Sequence, residues 1–170
     1  MQKSELLGHV EQWLILNDGV MGGLSQSQVF EMSTGVEFRG YLSLKNNGGF
    51  ASIRKTLNVR LDGIIGFRLV LKGDGRCYQF RLRQDEDPGS VAWRRQFKTS
   101  AWQQEMTILL NEFEPVYRGR PVPGAGTLPP SAIRQLGFML VDKIEGPFKL
   151  LIRSIEPLFA GSPLDLDKTY

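Results

Sequence analysis

The stretch IIGFRLVLKGDGRCYQFRLR, Ile64–Arg83, carries two runs of alternating polarity around a Gly-Asp-Gly step. Ile65, Phe67, Leu69 and Leu71 share one face of the first run. In the second, Tyr78, Phe80 and Leu82 oppose Cys77, Gln79 and Arg81. A period of two is that of a half-buried strand. Gly73-Asp74-Gly75 offers the positive φ of a tight turn, so the pair reads as a β-hairpin.

The same period recurs outward in both directions. Ser25–Met32 reads as a polar edge strand. Val36–Leu44 alternates, with Val36, Phe38, Gly40, Leu42 and Leu44 on one side. Phe50–Leu57 places Phe50, Ser52 and Arg54 opposite Ala51 and Ile53. Beyond the turn Asp85–Gly89, strands are expected over Val91–Phe97, Gln104–Leu110, Phe138–Val141 and Phe148–Ile155. Residues 111–130 are rich in Gly and Pro and read as a long surface loop of functional interest. Ser4–Leu16 fits either a helix face made by Leu6, Val10, Trp13 and Leu14, or an irregular lead-in to a strand.

Eight or nine strands with no long helix and no βαβ spacing make the chain all-β, an antiparallel β-sandwich or jelly roll. A decorated five-stranded barrel is the alternative. Its 170 residues suit a single domain, expected over 1–158 with a polar tail from Phe159.

Composition excludes several chemistries. One histidine, His9, lies ahead of the first good strand, and one cysteine, Cys77, lies within a strand. Neither a Ser-His-Asp site nor a histidine or cysteine zinc site can be assembled from these. An all-oxygen calcium site would have to use Asp18 and Asp85-Glu86-Asp87, which lack helix-loop-helix ligand spacing and read better as an exposed turn. No cofactor, metal or catalytic set is expected. The net charge of +3 is weak. Arg76, Arg81, Arg83, Arg94 and Arg95 interleave with Tyr78, Phe80 and Trp93, yet Phe80 should face the core if Arg81 faces water. The basic face reads as a solvated sheet surface, and no nucleic acid is expected. No apolar run is long enough to span a bilayer. The start MQKSELLGHVEQW reads as neither a secretory signal nor a transit peptide, so a cytoplasmic protein is expected.

NDGVMGG, Asn17–Gly23, is neither a P-loop nor a dinucleotide fingerprint. It reads equally as two turns, with Met21 tucked into the core, or as part of a functional surface.

Six motifs in order carry a family resemblance. They are W-x-x-x-N-D-G-V-M-G-G-x-S from Trp13, F-R-G-Y-L-S from Phe38, and N-G-G-F-A-S-I-R from Asn47. G-D-G-R-x-Y from Gly73, F-x-P-x-x-R-G from Phe113, and I-x-x-L-G-F-M-L-V-D-K-x-x-G-P-F from Ile133 follow. Together they resemble the complex I intermediate-associated protein 30 family over about Val10–Ile155. The resemblance implies a galactose-binding-domain-like β-sandwich and a non-catalytic role in assembling a membrane complex through protein contacts. Lacking a targeting segment, the chain is expected to be a bacterial or otherwise non-mitochondrial member. The matching residues form a candidate binding or structural surface: Trp13, Asn17, Asp18, Met21, Gly22, Gly23, Ser25, Gly48, Gly49, Phe50, Ser52, Arg54, Asp74, Arg76, Arg118 and Gly119.

Within that set, Asp18 is expected to pair with Arg54 across the two double-glycine turns. Two alternatives accompany the assembly role. One is carbohydrate binding, from fold analogy and the three Trp and four Tyr. The other is a small-anion binder or enzyme built on Asp18, Arg54, Asp74 and Arg76.

Overall fold

The structure, a computed structural model, describes residues 5–87 and 89–161, without the side chains of Val20 and Met21. The core position expected for Met21 and most of the expected tail therefore lie outside the described residues. Twelve strands form among the described residues: β1 Trp13–Asn17, β2 Gln26–Met32, β3 Gly35–Leu42, β4 Ala51–Thr56, β5 Ile64–Lys72 and β6 Cys77–Arg83. Then follow β7 Ala92–Lys98, β8 Gln103–Leu109, β9 Glu114–Tyr117, β10 Arg120–Pro121, β11 Gln135–Leu140 and β12 Gly146–Phe159. All remaining helical turns among the described residues are short 3-10 turns.

The strands make two antiparallel sheets. One has seven strands in the order β1-β4-β11-β6-β7-β9-β10, the other five in the order β2-β3-β12-β5-β8. The protein is an all-β sandwich, as its alternation predicts. Ile53, Phe80, Leu82, Phe138 and Leu140 from the larger sheet meet Phe38, Phe67, Leu69, Leu71 and Ile152 from the smaller, all fully buried. Phe67 and Phe80 meet edge to face at 5.3 Å across the layers, and Phe80 continues to Phe138 at 5.1 Å. Each such side chain contributes roughly 1.5–3 kcal/mol by leaving water.

The deciding stretch folds into two strands that do not pair. β5 sits between β12 and β8 in the small sheet, while β6 sits between β11 and β7 in the large one. Gly73–Arg76 is thus a crossover between layers rather than a hairpin turn. Alternation and an Asp-Gly step are common to both outcomes, because the inward faces of β5 and β6 bury against each other either way. Ile65 also departs from expectation: a bulge opposite Leu158 and Phe159 reverses the parity, burying Ile64 and exposing Ile65.

Two further expectations change. β3 ends at Leu42, and Leu44 is exposed. The expected loop 111–130 holds a small hairpin, β9–β10, that widens the large sheet. Its two-residue turn, Arg118-Gly119, has φ values of 49° and 76°, the primed geometry that suits strand twist. The lead-in reading of the N-terminal segment holds: a turn and a 3-10 step precede β1, whose Trp13 is buried and donates its indole N–H to the Leu7 carbonyl at 2.9 Å.

Candidate functional site

The outward face of the seven-stranded sheet is a groove of about 840 Å³. Strand register builds its floor. Arg54 on β4 lies opposite Gly137 on β11, which lies opposite Arg81 on β6, which lies opposite Arg94 on β7. The flanking row on one side is Ser52, Met139, Gln79 and Gln96; on the other it is Thr56, Gln135 and Arg83. Gly137 has no side chain, so the row dips between Arg54 and Arg81. Phe50, Arg118, Gly119 and Lys143 lie around this floor. Five arginines and one lysine line the groove, and among the described residues no Asp or Glu does.

The basic face is therefore a groove floor rather than an evenly solvated surface. Arg83 is only 8% exposed, and its Nη1 is buried without a partner, as is Gln135 Oε1 on the neighbouring strand. Arg81 donates to Gln79 Oε1 at 2.7 Å and touches Met139 Sδ at 3.3 Å. Among the described residues, Arg54, Arg81 and Arg83 form no ion pair within 4.0 Å; Arg94 reaches Glu114 at 3.2 Å. Burial, with Arg83, Arg54 and Arg94 close by, pulls the Arg81 pKa down to about 9. Burial and Arg83 bring Arg54 down to about 10. Both remain cations at neutral pH.

Asp18 does not pair with Arg54. It is fully buried, and its carboxylate accepts four hydrogen bonds: from Ser25 N–H at 2.9 Å, Ser25 Oγ–H at 2.6 Å, Gly49 N–H at 2.7 Å and Phe50 N–H at 3.4 Å. Backbone donors thus supply what an arginine was expected to give. Burial pushes the Asp18 carboxyl up, but those bonds together outweigh it and hold it below the usual range. The glycines answer to this packing: a Cβ on Gly23 would lie 2.3 Å from Asp18 Cγ, and one on Gly48 would lie 2.6 Å from Asp18 Oδ2. Gly22, with φ 86°, caps the 3-10 turn 18–21. Asn17 Oδ1 accepts from Ser27 Oγ–H and Ser52 N–H, tying the same loop to both sheets. Three of these bonds fall on Oδ2 and one on Oδ1, so the carboxylate is held by the donors of its own loops.

Asp74 and Arg76 sit elsewhere again. Asp74 accepts from Tyr78 O–H at 3.0 Å and Lys149 N–H at 2.7 Å. Arg76 forks onto Asp142 at 2.7 and 2.9 Å and donates to the carbonyls of Ile144, Gly146 and Pro147. These two residues bolt the crossover to the β11–β12 turn. The expected constellation of Asp18, Arg54, Asp74 and Arg76 is dispersed, with only Arg54 in the groove.

Of the motif residues, Phe50, Ser52, Arg54, Arg118 and Gly119 line the groove. Gln79, Arg81, Arg83, Gln135 and Met139 also build it but stand outside the sequence-derived set. Their signal was the period-two alternation of β6, whose outward positions are Gln79, Arg81 and Arg83, and of β11, whose outward positions are Gln135, Gly137 and Met139. Trp13 and Trp93 are buried, and Trp102, 80% exposed, lies outside the groove.

Residues 2–152 match the family described as Complex I intermediate-associated protein 30 (CIA30). An uncharacterized protein of Schizosaccharomyces pombe is 28% identical, over 94% of this chain and 84% of its own length. Among solved structures, the family 11 carbohydrate-binding module of a Clostridium thermocellum cellulosomal cellulase matches with TM-score 0.68 and 16% identity, over 94% of each chain. The Clostridium thermocellum family 11 module in complex with a β-1,3-1,4-mixed-linked tetrasaccharide gives 0.66 and 17%, over 92% of this chain and 94% of that one. An agarase gives 0.56 and 14%, over 87% of this chain and 22% of the agarase. These structural likenesses establish the sandwich fold.

Proposed function

This chain belongs to the complex I intermediate-associated protein 30 family, and from that premise we propose that it is a non-catalytic module that assists assembly of a membrane complex by holding a protein partner in the groove of its larger sheet. The groove itself carries the reading. It gathers four arginines and a row of amides on rigid strands, with Arg118 added from the β9–β10 turn, and no nucleophile-base pair stands among its lining residues. Strand-borne side chains at fixed register suit recognition. Asp18, Asp74 and Arg76 are engaged in holding loops, whereas Arg54, Arg81 and Arg83 in the groove have no ion-pair partner within 4.0 Å among the described residues. No helix among the described residues is long and apolar enough to cross a membrane, so contact with a membrane complex would run through that partner.

Carbohydrate is the second reading, favoured by the likeness to a module solved with a tetrasaccharide. Gln79, Gln96 and Gln135 offer amides that suit sugar hydroxyls. Among the described residues the groove lacks the aromatic platform on which sugar rings stack: its aromatic lining is Phe50 and the fully buried Phe138.

Capture from a native membrane extract tests the assembly reading. The full chain should retain subunits of a membrane complex. Met139→Trp, which fills the groove floor without altering its charge, should lose them. Failure of the wild-type chain to retain any such subunit would end this reading, and specific retention of neutral mixed-linkage glucan instead would establish the second.

A further inference from the structure

We infer that the groove is an anion site whose occupant is an extended acidic peptide segment, an inference that rests on the protein-partner reading above. Three observations carry it. Among the described residues the lining holds six cations and no carboxylate. Arg54, Arg81 and Arg83 face one another with no counter-ion among the described residues within ion-pair distance. Arg83, more than nine-tenths buried, presents an unpartnered Nη1 there. Clustered guanidinium groups withheld from water repel one another and cost stability unless an anion joins them. Guanidinium forks recognise carboxylates bidentately.

The register sets the size of the ligand. Arg81 and Arg94 are cross-strand neighbours, about 5 Å apart at the backbone, close enough to share one carboxylate. Arg54 lies two strands from Arg81 on the other side of Gly137. The row from Arg54 to Arg94 therefore spans about 14 Å, three strand spacings. An extended chain covers that distance in about four residues, so two acidic side chains at i and i+4 would meet Arg54 and the Arg81–Arg94 pair. A lone phosphate is too short for the row. A nucleic acid would want exposed stacking faces, but Tyr78, Phe80 and Trp93 are buried on the opposite side of the sheet.

The test uses the full chain and a fluorescein-labelled (Glu-Ala)4 peptide, with (Gln-Ala)4 as its neutral counterpart. Anisotropy titrations should give binding to the Glu peptide at least about tenfold tighter than to the Gln peptide, weakening steadily as salt is raised. Arg54→Gln with Arg81→Gln should weaken it by about tenfold or more, while Arg120→Gln, outside the groove lining, should leave it unchanged. Arg81→Gln without ligand should melt higher than wild type, which separates lost recognition from lost folding. Equal binding of the two peptides, no effect of the double variant, or tighter binding of polygalacturonate or single-stranded RNA would overturn the inference. Continued capture of membrane-complex subunits by the double variant, with no preference for the Glu peptide, would sink the acidic-peptide site while leaving the assembly role standing. Preference for the Glu peptide with no such capture would do the reverse.

Discussion

At Asp18 one carboxylate organises three segments of chain, because Ser25, Gly49 and Phe50 all donate to it. Asp18→Ala leaves buried donors unsatisfied and should cost about 3 kcal/mol in a denaturant melt. Its folded pKa lies below its unfolded value, so its stabilisation is fully present above the unfolded pKa and is lost as pH falls through the folded one. Asp18→Asn should flatten that acid-side decline. The sequence placed Asp18 at the centre of the glycine motif but assigned it the wrong partner. Charge type is legible in a string of letters, whereas backbone N–H groups are present at nearly every position and give no signal. Arg118 makes the opposite trade, holding φ 49° in the β9–β10 turn beside the groove. Asn accepts that conformation more readily, so Arg118→Asn should raise stability by about 0.5–1 kcal/mol. The same change should weaken acidic-peptide binding, read by anisotropy.

Among elements, the crossover Gly73–Arg76 decides how the layers join. Arg76 and Asp142 are each nearly buried, at 11% and 8% side-chain exposure, and fork together. Either single replacement by alanine strands a charge and should cost about 3–5 kcal/mol. The double replacement should cost less than the sum, measured by urea melts of the full cycle. Alternation made β5 and β6 legible as strands and gave their inward side chains except at Ile65, where the bulge reverses the parity. It did not fix their partners, because pairing with β12 and β11 depends on residues more than fifty positions away along the chain. The β9–β10 hairpin was hidden for a different reason: two of its residues are prolines, Pro115 and Pro121, which lower strand propensity but are tolerated towards a sheet edge.

For the molecule as a whole, a net charge of +3 conceals its own distribution. Six cations meet in one groove, while acids such as Asp18, Asp74 and Asp142 are engaged in loops. Moderate salt should therefore stabilise the unliganded protein by screening the groove, and this salt effect should shrink in the Arg54→Gln, Arg81→Gln double variant. Thermal melts across a salt series give the comparison. The two rims of the large sheet are also unlike. At one end β10 is two residues long and ends in Pro121; at the other, β1 runs five residues with Leu14 and Ile15 exposed. Short strands and proline blunt a rim against further pairing. Growth along this sheet is thus polar, open at one terminus and stoppered at the other. Two copies meeting β1 to β1 would consume both open termini, so association through this sheet ends at a closed pair instead of running on into a fibre.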